Sequence, residues 1–169
     1  VMELIRSDQP KDGFLEEIRN LADDCGAVLI IDEVSAGLRL NTGGAHLTFG
    51  LSPDIAVFSK ALGNGYAITA IIGSREIMEA TQSTFISSTF WTERIGPTAA
   101  LKTLEVMEKI RSWAQITDTG LKIREGWQQL ADKYSIEISH SGLPSLTSFT
   151  IHSESVLSYK TLITQEMLA

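Results

Sequence analysis

Apolar positions along the chain switch between two periods, and the switches outline its elements. Residues 1–5 read as a short strand. Phe14, Leu15, Ile18, Leu21, Ala22 and Cys25 recur at helical spacing and predict a helix over 13–25, with Asp12 as its cap and Gly26 as its stop. Residues 27–31 are continuously apolar and partly β-branched, the pattern of a strand covered on both faces. Residues 35–53, rich in glycine and polar side chains, read as a long loop, a type of segment that often carries function. Strands are expected at 55–58 and 67–73, then a short helix at 75–81.

Pro97 suits the first turn of a helix running to residue 110, and a second helix is expected over 113–134. Residues 136–139 and 146–151 read as strands, and a helical pattern occupies the last dozen residues. Up to residue 81 the alternation of helices and buried strands implies parallel βαβ geometry. Beyond Pro97 the order becomes helix, helix, strand, strand, helix. The shift divides the chain into 1–111 and 112–169, the second part opening another domain. Both termini are abrupt, which suggests a piece of a longer protein.

Composition narrows the function classes. The chain has 169 residues, 43% hydrophobic and 21% charged, which describes a globular sequence rather than a disordered one. With 14 basic against 21 acidic residues its formal charge is -7, which argues against a nucleic-acid surface. Cys25 is the only cysteine, so no intrachain disulfide forms, and a reducing, cytoplasmic compartment is the default expectation. No apolar run is long enough to span a bilayer.

The candidate chemistry sits where two apolar runs stop. The first ends in Asp32-Glu33, the second in Ser59-Lys60 followed by Gly63-Asn64-Gly65. Ligands of open α/β sheets bind beyond the carboxyl ends of the strands, and both residues fall there. Taken singly, Lys60 reads as a surface lysine and Asp32 as a turn or cap residue. Taken together they suit pyridoxal phosphate, which needs an imine-forming amine and a carboxylate for its pyridine nitrogen. An apolar strand ending in Asp32-Glu33 also fits the magnesium-holding acid of a P-loop ATPase. That alternative lacks a G-x-x-x-x-G-K-[ST] loop in this chain and leaves Lys60 without a role.

The segments from Leu29 to Arg39 and from Ser52 to Gly65 resemble the class III pyridoxal-phosphate-dependent aminotransferases, closest to glutamate-1-semialdehyde 2,1-aminomutase-like members. Ser88-Thr89-Phe90 followed by Pro97 is similar to a third segment of that family. The resemblance implies a fold type I α/β chain with a mostly parallel sheet and helices on both faces. It implies that Lys60 forms the Schiff base and shuttles a proton, that Asp32 pairs with the pyridine nitrogen and that Val34 packs on the ring. It implies that Thr89 reaches the phosphate of a neighbouring subunit, hence a homodimer, with a small-molecule amino donor and carbonyl acceptor as partners. Ser35 stands where many relatives have Gln, and Trp91-Thr92-Glu93-Arg94 replaces a Gly-Gly-Asn-Pro stretch. The family's main phosphate-binding loop and its substrate-carboxylate groups fall outside this sequence, so an inactive remnant is a further alternative.

Other residues carry less. Gly63-Asn64-Gly65 reads as a tight turn or an anion-binding loop. Arg39 and Arg94 read as substrate-carboxylate forks or solvated arginines. His46, His140 and His152 are too scattered for a metal site. Cys25, Trp113 and Trp127 read as packing residues, whereas Trp91 is placed to line a pocket.

Overall fold

The computed structural model of the chain describes residues 1–5 and 9–168. Four strands form the main sheet, β1 (Met2–Glu3), β2 (Ile30–Asp32), β3 (Ile55–Phe58) and β4 (Ala70–Gly73), side by side in chain order. The first three are parallel: Ile31 is registered with Met2 on one side and Ala56 on the other, and Asp32 with Val57. β4 is antiparallel to β3, with Phe58 opposite Ala70. The expected parallel βαβ pattern therefore ends at β3. A parallel return needs a crossover of a dozen residues or more, usually through a helix. Residues 59–69 hold only the 3-10 turn Lys60–Leu62, so the chain doubles back.

Helix α1 (Phe14–Asp24) precedes β2 and buries Leu15, with Ile18 and Ala22 packed on the same cluster. Its buried stripe is narrower than the sequence pattern: Phe14 and Leu21 are exposed, and Cys25 is an exposed C-cap rather than a packing residue. Gly13, not Asp12, is the N-cap, and no side chain caps that end. Gly26 stops the helix as expected. Its φ of 62° allows Gly26 N–H to donate to Asp23 O and Ala27 N–H to Ala22 O, a Schellman closure.

That closure explains why β2 starts at Ile30 rather than residue 27. Ala27 N–H is spent on the helix end, and Leu29 N–H donates to the Asp54 carboxylate at 2.6 Å. Asp54 also pairs with Arg19 of α1 at 3.0 Å, so it ties helix and two strands together. The Leu29 N–H holds the Asp54 carboxyl below its ordinary value against the opposing effect of burial, with help from the Arg19 hydrogen bond and charge. β2 is not covered equally on both faces: Ile31 is fully buried while Ile30 and Asp32 are half-buried. Burying one such isoleucine is worth about 1.5–3 kcal/mol.

Two apolar clusters form the core. Leu4, Ile5, Leu15, Leu29, Ile31 and Leu51 make one, with α1 packed on it. Ala56, Phe58, Leu62, Ala100 and Met107 make the other, against α4 (Ile95–Ile110), which follows the short helix α3 at Arg75–Glu79. Helix α2 (Ala45–Thr48) interrupts the expected long loop. α4 begins two residues before Pro97 because Glu93 accepts from Ile95 N–H and Gly96 N–H and so caps it. Arg111, at φ 50°, breaks the chain between α4 and α5 (Ser112–Lys133). β5 (Ile138–Ser141) and β6 (Ser148–Ile151) pair antiparallel in a separate two-stranded sheet, and α6 (Val156–Leu168) follows. Leu143 of this second part packs into the first cluster. Trp113 lies against the second cluster, and Trp127 stacks near His140 and Phe149. Among the described residues no helix is long and apolar enough to cross a membrane.

Candidate active site

The carboxyl ends of β2 and β3 bring the predicted acid and amine to one edge of the sheet. Asp32 closes β2, beside Val57 of the neighbouring parallel strand, and Lys60 stands three residues beyond Val57, in the turn that follows β3. Val34 N–H donates to Asp32 Oδ1 at 2.9 Å. That local turn orients the carboxylate, and Oδ2 accepts no hydrogen bond among the described residues. Val34 is half-buried beside it.

Lys60 is exposed and adopts φ 43°, in the left-handed region where a side chain costs energy. The 3-10 turn holds it there through Leu62 N–H to Ser59 O at 2.9 Å and Asn64 N–H to Lys60 O at 3.0 Å. Gly63-Asn64-Gly65 is a turn, with Asn64 at φ 46° and Gly65 at φ 105°. The Lys60 ammonium donates to Ser35 Oγ at 2.7 Å. Arg39 Nε donates to the carbonyl of the same Ser35 at 2.7 Å, and burial lowers the Arg39 pKa.

Strand alternation turns Glu33 away from Asp32 and into the protein. Its side chain is fully buried and accepts from Ala45 N–H and His46 N–H, each at 2.9 Å, and meets His46 Nδ1 at 2.8 Å. Both carboxylate oxygens are therefore committed to α2, which removes the second acid of the ATPase alternative. The clasp is not among the contacts expected from the sequence. Only half of its signal is local: a carboxylate just after an apolar strand needs donors, but those donors lie 12 and 13 residues on, in a segment that reads as loop. Among the described residues no cluster of His, Cys, Asp and Glu could hold a metal.

Thr89 is not brought to Lys60 by any hydrogen bond among the described residues. It lies on an exposed stretch with Phe85, Phe90 and Trp91, the last 69% exposed and outside the described cavities. A cavity of about 890 Å³, open to solvent, borders the site without including Lys60 or Asp32. Arg39, Asn64, Tyr66 and Arg94 line it together with residues of α4, so both candidate arginines border the same space.

The Aminotransferase class-III family matches residues 8–156. A 3-aminobutyryl-CoA aminotransferase of Cloacimonas acidaminovorans is 35% identical over 92% of this chain and 38% of its own length. A glutamate-1-semialdehyde 2,1-aminomutase of Methanocaldococcus jannaschii is 34% identical over 89% of this chain and 36% of its own. In fold, the chain superposes on the pyridoxal-phosphate internal aldimine form of the FumI protein of Sphingopyxis sp. MTA144 with a TM-score of 0.86, at 23% identity over 90% of this chain and 38% of that one. An omega-transaminase from Sphaerobacter thermophilus gives a TM-score of 0.73 at 25% identity over 86% of this chain and 34% of that one. The chain thus spans less than two fifths of the length of these relatives. Over that span, from the strand-end acid to the lysine turn and on through the second sheet, it belongs to the class III aminotransferases.

Proposed function

We propose that the protein carrying this chain transfers amino groups with pyridoxal phosphate, Lys60 being the covalent anchor and Asp32 the partner of the pyridine nitrogen. The observation that carries the reading is the placement of an accessible amine and an oriented carboxylate at the ends of adjacent parallel strands. The donor set fits the group: Asp32 keeps one carboxylate oxygen for a protonated ring nitrogen, and Lys60 presents its amine to solvent. When bound, pyridoxal phosphate supplies a carbonyl for that amine and a ring that withdraws electrons.

The chain's own residues do the rest. Asp32 keeps the ring nitrogen protonated. Val34, half-buried beside Asp32, would pack on one face of the bound ring. The Lys60 amine, when free, would hold and move a proton beside the bound cofactor. Thr89 donates to a phosphate across a homodimer interface. The exposed Phe85, Ile86, Phe90 and Trp91 around it support such an interface, since apolar side chains gathered on one surface stretch mark contact sites. We assign residues 1–111 to the cofactor-binding domain and 112–169 to the start of a smaller one, in a cytoplasmic enzyme. Aminotransfer is the first reading and aminomutation the second, because both use the same residues.

The test uses the full chain. Pyridoxal phosphate is added, the shift of its absorbance is followed, and borohydride is used to fix it. Peptide mapping is expected to find the pyridoxyl label on Lys60, and K60A to lose it. Magnesium-dependent nucleotide binding without any label on Lys60 would overturn the reading.

A further inference from the structure

We propose that Ser35 is a positioning residue for Lys60, its hydroxyl holding the amine in place whenever the amine is not covalently engaged. This rests on the cofactor reading above and adds a residue to it. The Lys60 amine makes one side-chain hydrogen bond among the described residues, to Ser35 Oγ at 2.7 Å, and no carboxylate lies within ion-pair distance of it among them.

Both ends of that contact are fixed by the fold. On one side, Ser35 sits in a turn closed by Gly37 N–H to Glu33 O at 2.8 Å and braced by Arg39 on its own carbonyl. The turn is too compact for a side chain at Gly37, where a Cβ would stand 2.5 Å from Glu33 O. On the other side, Lys60 is set by its 3-10 turn, and Ser59 Oγ ties the preceding residue to Ile68 O at 3.3 Å. Between two fixed backbones lies the lysine's flexible four-carbon stem, and Ser35 is the group that restrains its tip.

The choice of a hydroxyl has a chemical reason. A serine oxygen accepts from an ammonium and can donate to the lone pair of a neutral amine, so it holds both forms. A carboxylate in its place would favour the ammonium and suppress the nucleophile. An amine that must attack a carbonyl and later carry a proton has to pass through both forms.

The experiment measures, in the full chain, the rate at which Lys60 captures pyridoxal phosphate, read by absorbance and by borohydride-fixed mass, for wild type, S35A, S35T and S35D. S35A is expected to slow capture about three- to tenfold, the range one ordinary hydrogen bond supplies. S35T, which keeps the hydroxyl, is expected to stay within about twofold of wild type. S35D is expected to be slower than S35A, although it restores a polar side chain, because its charge favours the ammonium. Should S35A unfold, S35C replaces it with the same expected direction. Wild-type capture with an unchanged rate in S35A, or S35T no better than S35A, overturns the role of Ser35 alone. A wild-type chain that captures nothing overturns the cofactor reading and this role with it.

Discussion

Removing the Glu33 carboxylate is expected to be among the most damaging single changes in this chain, because it is buried and fully engaged by α2. The side chain is fully buried and carries three contacts, from Ala45 N–H, His46 N–H and His46 Nδ1. Truncation in E33A leaves two backbone donors and one imidazole without their acceptor and opens a cavity at the strand end. An unsatisfied buried donor costs about 1–3 kcal/mol, and three donors lose their acceptor here. These costs overlap, so the expected loss for E33A is about 3–5 kcal/mol. E33Q keeps one carbonyl acceptor but turns an amide donor toward another donor, so its loss is expected at about 1–3 kcal/mol. Urea unfolding of the full chain, followed by circular dichroism, measures both. The order wild type, E33Q, E33A is required. An E33A unfolding free energy that differs from wild type by less than about 1 kcal/mol at unchanged slope refutes the clasp.

Three further outcomes follow from named contacts. Asp54 titrates below its ordinary 3.8 in the folded chain, so the folded state binds fewer protons and the carboxylate's contribution is complete above that value. It is lost as pH falls through the folded pKa, so D54N should cost about 1–2 kcal/mol near neutrality and progressively less in acid, by parallel denaturation series. In G120A the new methyl would meet the Pro144 carbonyl where α5 crosses the second sheet's connection, and a loss of about 1–3 kcal/mol is expected by thermal unfolding. E93A removes the carboxylate that caps α4 and should lower stability by about 1 kcal/mol, with E93D recovering part of it.

The strand-end acid and lysine were legible because each interrupts an apolar run, and the interruption is local. The roles of Asp54 and Glu33 were not, because their partners lie far away in sequence. Leu29 N–H is 25 residues from Asp54, and His46 is 13 from Glu33. The start of β2 was misplaced for the same reason: Ala27 and Leu29 look like strand, yet their N–H groups are claimed by a helix end and a distant carboxylate. The direction of β4 was misread because hydrophobic period identifies a strand but carries no polarity. The length of the 59–69 link held that information. Ser35 was visible only as a departure from a family pattern, and its contact with Lys60 needed the fold to bring a turn and a neighbouring strand together.

The doubling back after β3 has a mechanical consequence for the lysine. A crossover helix would have left Lys60 at the mouth of a long, compliant connection. The short return instead clamps both ends of its segment into one sheet within residues 59–69. Closing so short a loop already costs the chain its freedom in the folded state, and little backbone entropy remains to be lost on binding. Reach and adaptation are then left to four methylene groups. Adjustment of the lysine tip lies in rotamers rather than in the loop, on the nanosecond scale of side-chain flips.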